Sequence, residues 1–329
     1  MKKLLVMIIA ALFAVTACAE KGKENHENSS EGASSAQITI EHALGTETFD
    51  TPPERVVILE WNYAEDLLAL GVQPVGLADV EGFKKWVKIN KELSEDVVDV
   101  GTRQEPNLEE IAKLNPDVII TLAENHEGIQ TDLEKIAPTI FYDASSEKVS
   151  DDLYGNMIDC FKMTAKLLQK EKEAEEALAH LEEKYREAKK EIEELDLPTK
   201  QFVFTQAYSA NQAPLFRLFT SNSTVSHVLE KAGLENAITE DNTAEWGFIE
   251  ANVEGLAAYQ EAVLIHAVQE DDPLFDNLAN NELWKNLSFV QENQLYDIGG
   301  DTWTFGGVLS AETLIDNLLK ALKGEHDES

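Results

Sequence analysis

A two-lobed α/β fold, its lobes bridged by one long helix, is predicted by three features of this 329-residue sequence. Short β-branched runs alternate with short helical segments on both sides of the centre, one unbroken charged amphipathic segment interrupts the alternation, and a helix–turn–strand pattern before it is echoed after it. Alternation of this kind builds a mostly parallel sheet covered by helices. A chain of this length can close two hydrophobic cores of ordinary size.

The N-terminal segment belongs to neither lobe. Lys2 and Lys3 precede an apolar run from Leu4 to Val15, followed by the small residues Thr16 and Ala17 and then Cys18. The run has the length of a signal-peptide core and is too short to span a bilayer. "VTAC" (Val15 to Cys18) resembles a bacterial lipobox, which makes residues 1–17 a lipoprotein signal peptide and Cys18 the lipidated first residue of the mature chain. A diacylglyceryl group supplies the two chains that stable anchoring takes. Residues 18–36, polar and rich in Ser, Glu and Asn, form an expected disordered tether.

Residues 37–170 read as the first lobe. "ITIEHALGTETFD" (Ile38 to Asp50) alternates around a glycine as a hairpin does, and Pro52 and Pro53 close it. The strand "RVVILE" (Arg55 to Glu60), the helix "AEDLLALG" (Ala64 to Gly71) and the strand "PVGLAD" (Pro74 to Asp79) follow. "VVDVG", "LEEIAKL", "DVIITLA", "DLEKIA" and "TIFYD" carry the alternation to Asp143, and Asp151 to Leu168 is helical in pattern. Cys160 lies on the apolar side of that last helix and reads as a small buried hydrophobe.

The connecting helix spans 171–197. Ala174, Leu178, Leu181, Tyr185, Ala188, Ile192 and Leu195 make one narrow apolar seam on an otherwise charged segment, and Pro198 ends it. At about 1.5 Å per residue it runs roughly 37 Å, the width of a domain, so it reads as a strut across both lobes. Residues 198–323 form the second lobe, with strands at "QFVFTQAY" (Gln201 to Tyr208), "LFRLFT" (Leu215 to Thr220), "AVLIHAV" (Ala262 to Val268) and "QLYDIG" (Gln294 to Gly299). Residues 324–329 are a tail. The echo pairs "LEEIAKLNPDVII" (Leu108 to Ile120) with "VEGLAAYQEAVLI" (Val253 to Ile265), Glu109 and Glu254 each standing nine positions before the strand's first valine.

Composition narrows the function. Sixty-two acidic against 27 basic side chains give a formal charge of −35, which repels nucleic acid and anionic lipid headgroups. P-loop, G-x-S-x-G, G-x-G-x-x-G and C-x-x-C patterns are missing, and the seven histidines show no zinc-type spacing. Ser223 or Ser226 beside His227 is the local candidate for a tethered hydrolase. Against it stands a set of aromatic and cationic residues at expected strand ends, where α/β sheets bind ligands. These are Trp61, Tyr63, Arg103, His126, Trp246, Trp303 and Phe305, with "GDTWTFGG" (Gly300 to Gly307) supplying glycines that let backbone approach a bulky object.

"VGTRQEPNLEEIAKLNPDVII" (Val100 to Ile120), "FRLFTSNSTVSHVLEKAGLENA" (Phe216 to Ala237) and "DTWTFGGVLSAE" (Asp301 to Glu312) resemble segments of the ferric-siderophore substrate-binding lipoproteins of ABC importers. The resemblance implies two Rossmann-like lobes with the iron complex in the cleft between them. It implies Arg103 and Arg217 as contacts to iron-bound oxygens, and Trp246, Trp303 and Phe305 as an apolar wall. It places the permease-docking carboxylates at Glu109 and Glu254. Iron would arrive chelated, so no cofactor and no protein metal ligand is expected. Two arginines among aromatics suit a near-neutral ferric hydroxamate; ferric citrate is the alternative, with haem or a corrinoid behind it. The expected setting is the outer face of a Gram-positive cell membrane, as a monomer beside permease subunits and their cytoplasmic ATPase.

Cys18→Ala is expected to release the protein from the membrane without changing ligand affinity. Detergent-phase partition of the variant checks this, and continued retention would count against lipidation.

Overall fold

The computed structural model describes residues 37–210, 213–239 and 243–325. The signal peptide and tether expected over 1–36, Cys18 included, lie outside them, as do the last four residues of the tail. The chain opens with the expected hairpin, β1 (Ile38–His42) antiparallel to β2 (Gly45–Phe49). Ile38 and Ile40 point inward from alternate positions and are buried.

The first lobe follows in chain order as β3 (Val56–Ile58), α1 (Trp61–Ala69), β4 (Gly76–Leu77), α2 (Val80–Trp86), β5 (Val98–Asp99), α3 (Leu108–Lys113), β6 (Val118–Leu122), α4 (Ala123–His126), α5 (Gln130–Glu134) and β7 (Thr139–Tyr142). Its sheet has the order β5-β4-β3-β6-β7, parallel throughout. Every residue of β3, β6 and β7 is buried, as strands covered on both faces must be. The order reverses between β3 and β6, which opens a crevice beyond their carboxyl ends.

Two helices then leave the sheet, α6 (Leu153–Leu168) and α7 (Glu171–Glu194), separated by Gln169 in the left-handed region at φ 52°. The second lobe comprises β8 (Gln201–Ala210), β9 (Ala213–Phe219), α8 (Thr224–Lys231), β10 (Glu235–Asn236), β11 (Phe248–Ala251), α9 (Val253–Leu256), β12 (Val263–Ala267), α10 (Leu274–Leu278), α11 (Glu282–Lys285), α12 (Ser288–Gln291), β13 (Leu295–Asp297) and α13 (Val308–Lys323). Its sheet is mixed, in the order β11-β9-β8-β12-β13, with β10 pairing the start of β8. β9 runs antiparallel to both of its neighbours, β8 and β11, whereas β12 and β13 run parallel to β8. The antiparallel part has a plain cause: Ala210 pairs with Ala213 across two residues, far too few for a parallel crossover.

The seam of α7 is buried as its spacing requires. Ala174, Leu181, Tyr185, Ala188 and Ile192 are at most 3% exposed, with Leu178 packed beside them. They join a continuous core with residues from both sheets, Val56, Ile58, Val118 and Ile120 on one side and Phe202, Phe204, Val263 and Ile265 on the other. The helix is therefore part of a shared interior as well as a connection.

One contact fixes the end of the chain to the first lobe. α13 starts at Gly307 with no side-chain cap of its own, and Glu65 of α1 supplies one from across the molecule. Its Oε2 accepts the N–H groups of Gly307 at 3.1 Å and Ser310 at 2.9 Å, and the Ser310 hydroxyl donates to Oε1 at 2.7 Å. A carboxylate at a helix N-terminus satisfies free donors and the helix dipole together. Glycine at 306 leaves the room: a Cβ there would lie 2.2 Å from the Ser310 Cβ and 2.7 Å from Glu65 Oε1.

Glu65 is fully buried, and burial pushes its carboxyl up to about 7 from an ordinary 4.5, against the opposing hydrogen bonds of Ser310 and Gly307. A carboxyl raised in the folded state contributes most below its unfolded value and loses that contribution as pH rises through the folded one. Stability owed to Glu65 should therefore decline between about pH 4.5 and 7. Glu65→Gln keeps the shape without the charge, so the variant is expected to gain on the wild type as pH rises from about 5 to about 7.5. Chemical denaturation at the two pH values measures this, and an unchanged difference would overturn it.

Candidate functional site

The cleft is built from the ends of β3, β5 and β6 on one side and from the β9–β11 edge and the 300–307 turn on the other. It encloses a cavity of about 420 Å³. Glu60 stands two residues past β3, at the N-cap of α1, and is 6% exposed. Its carboxylate accepts the Arg103 Nη1–H at 3.0 Å and the Asn125 amide at 2.5 Å. Burial pushes the Glu60 carboxyl up, while the Arg103 charge pulls it back.

Arg103 is delivered by a tight turn after β5. Gly101 has φ 98°, and a Cβ there would approach the Asn107 amide nitrogen to 2.9 Å, so the turn needs glycine. The guanidinium lies 3.9 Å from the centre of the Trp61 ring and 5.7 Å from that of Trp303, a cation–π arrangement. Arg217 enters from the second lobe. It stands in the middle of antiparallel β9, donates to Gln206 Oε1 at 3.3 Å, and lies 4.8 Å from the Phe248 ring. Both arginines line the cavity, and each keeps a buried Nε–H with no acceptor.

Aromatic rings connect the two cations. Trp61 meets Trp303 edge-on at 5.1 Å, Trp303 meets Phe305 at 5.6 Å, and Phe305 meets Phe248 at 5.8 Å. Such spacings are those of favourable ring pairs. Trp246 stands at the rim, 38% exposed. At the inner end, Tyr63 and Asp66 of α1 and Asn156, Met157 and Cys160 of α6 complete the lining.

Six of the eight residues selected from sequence line this cavity: Tyr63, Arg103, Arg217, Trp246, Trp303 and Phe305. Two do not. Trp61 is 3% exposed and donates its Nε1–H to the Ala78 carbonyl at 3.1 Å, so it supports Arg103 from beneath. His126 is 1% exposed, ends α4 behind the cleft, and bonds Thr121 Oγ1 through Nδ1 at 2.6 Å. Burial lowers its tendency to carry charge. Sequence reasoning missed Glu60, Asp66, Asn125, Asn156 and Phe248. Glu60 had a signal, since it ends the strand run "VVILE"; the α6 residues had none.

The arrangement holds no nucleophile–base pair at Ser223 or Ser226. Ser223 Oγ caps α8 by accepting the Ser226 N–H at 3.1 Å, and His227 Nδ1 bonds the Ser223 carbonyl, not its hydroxyl. Among the described residues no group of three His, Cys, Asp or Glu side chains could hold a metal ion, and no helix is long and apolar enough to cross a membrane.

Glu109 and Glu254 occupy matching places. Each is exposed in the first turn of a short helix whose N-cap is an asparagine, Asn107 for α3 and Asn252 for α9. Each helix leads into a central, fully buried strand, β6 or β12.

A cleft between two α/β lobes, lined by aromatics and arginines, is the architecture of a ligand-binding protein. The chain belongs to the periplasmic binding protein family, whose model matches residues 56–302. It is 36% identical over 318 residues to the Fe(3+)-citrate-binding protein YfmC of Bacillus subtilis, covering 96% of this chain and 94% of the relative. It is 28% identical over 289 residues to the iron(3+)-hydroxamate-binding protein FhuD of Escherichia coli, covering 88% and 92%. Among solved structures it resembles the Fe3+–Desferal-bound siderophore-binding protein FhuD of Vibrio cholerae. That match has a TM-score of 0.73 and 29% identity, over 82% of this chain and 97% of that one.

Proposed function

We propose that this chain is the receptor of an ABC importer, capturing a ferric siderophore outside the membrane and handing it to permease subunits powered by a cytoplasmic ATPase. It binds without turnover, and iron enters as chelated cargo. The observation that carries the reading is the pair of arginines, one from each lobe, each with an unsatisfied buried N–H in one aromatic-walled cleft. Guanidinium donors suit the oxygens around chelated iron because they are always charged and fixed in direction.

A hydroxamate chelate is favoured by charge. The Glu60 carboxylate already offsets Arg103, which leaves Arg217 as the uncompensated cation among the lining residues. Ferric citrate, more anionic, is the second reading, and the 36% identical relative favours it. Quenching of tryptophan fluorescence by ferrioxamine B and by ferric citrate separates them: Trp246 and Trp303 both line the cavity and report occupancy. Failure of every ferric chelate to quench would sink the receptor reading.

Arg217→Ala should weaken chelate binding by about 1.5 to 3 kcal/mol, tenfold or more in affinity. Arg103→Ala should cost at least as much and also lower stability, since it strands the buried Glu60 carboxylate. Wild-type affinity in both variants would overturn the two-lobe assignment.

Glu109 and Glu254 are assigned to permease docking, with lipidated Cys18 keeping the receptor beside the transporter. An exposed salt bridge contributes only about 0 to 1 kcal/mol, but two of them fix orientation. Glu109→Ala and Glu254→Ala should leave the quenching titration unchanged and reduce cellular iron-chelate uptake, the double variant most. Normal uptake in the double variant would remove the docking role.

A further inference from the structure

The inner end of the cleft holds a carboxyl that the reading so far leaves without a task. Asp66, on the second turn of α1, is 3% exposed and lines the cavity. Glu65 next to it is held by Gly307 and Ser310, and Glu60 by Arg103 and Asn125. The Asp66 carboxyl has no such partner among the described residues, and Asp66 lines the cavity. Glycine at 307 keeps the carboxyl uncovered, because a Cβ there would stand 3.1 Å from Oδ1. A buried polar group without a partner is costly to keep, and a ligand that supplies the partner accounts for it.

The surroundings say which ligand group fits. Burial and the neighbouring Glu65 hold the Asp66 carboxyl well above the usual carboxylate range, and neither arginine is near enough to offset them. Tyr142 of β7 and Cys160 of α6, both buried, feel the Asp66 charge and are themselves held protonated. Tyr63 of the same helix is likewise held protonated. A further anion here would meet repulsion from Glu65 and no cation. An ammonium group would meet the Asp66 carboxyl in a cavity that Asn156 and Met157 also line.

We propose that Asp66 is a specificity-determining residue that takes the protonated amine arm of a ferric chelate. On binding, the Asp66 carboxylate accepts the N–H bonds of the incoming ammonium, with no covalent bond made or broken. The inference rests on the proposed receptor function and adds a selection rule to it: chelates with a free terminal amine are preferred over otherwise identical ones without it.

The test compares ferrioxamine B, which ends in a primary amine, with its N-acetyl derivative and with ferric citrate, on the wild type and on Asp66→Asn. The wild type is expected to bind ferrioxamine B about tenfold or more tightly than the N-acetyl form. The preference should grow as pH rises from about 5 to about 8, because a carboxyl raised by burial becomes a carboxylate only as pH rises. Asp66→Asn should erase the preference and its pH dependence, and a thermal melt of the variant shows that it is folded. Equal wild-type affinities, or a preference that survives in Asp66→Asn, would overturn the subsite and leave the receptor reading standing. Binding of ferric citrate alone would do the same. Quenching by no chelate at all would overturn both.

Discussion

Glu65 reaches from the first helix of one lobe to the free N–H groups at the start of the last helix of the other, and the cleft depends on that contact. α13 follows the turn that carries Trp303 and Phe305, so the position of its first residue sets the position of the aromatic wall. Without Glu65, the Gly307 and Ser310 donors would be buried and unpaired. With it, the wall stands against Trp61, which in turn lies beneath Arg103. Cap, wall and cation form one chain of contacts crossing from lobe to lobe.

Charge inside the cleft is arranged more tightly than the −35 of the whole sequence suggests. Each cation has a neutral or compensating neighbour, Glu60 for Arg103 and Gln206 for Arg217, and each also lies over a ring. Desolvating an arginine is expensive unless it is paired, and this pairing holds both side chains in place before any ligand arrives. Preorganised donors lose little freedom on binding.

Much of this architecture was legible in the sequence because periodicity records burial. The α7 seam and the β1–β2 hairpin follow directly from spacings of three and four and of two. The strand-end rule found Tyr63 and Arg103 because those residues follow parallel strands. It had no purchase on how far a side chain after a strand turns inward, so Trp61 and His126 were grouped with the cleft although both are packed behind it. Arg217, which the resemblance named, lines the cavity for another reason, as a mid-strand residue of an antiparallel pair, a place that strand order alone does not point to. Asp66 and Asn156 were invisible, because one apolar helix face looks like another until a neighbouring lobe leaves part of it uncovered.

The shared interior around α7 sets a limit on motion. Parting the lobes widely would bring Tyr185, Ile192 and their partners on both sheets into water, at about 25 cal/mol for each Å² of apolar surface exposed. Entry to the cleft is therefore left to rim side chains such as Trp246 and to small rotations of the loops. A fold restrained in this way surrenders little conformational freedom when its cleft is filled, so the cost of ordering falls on the ligand instead.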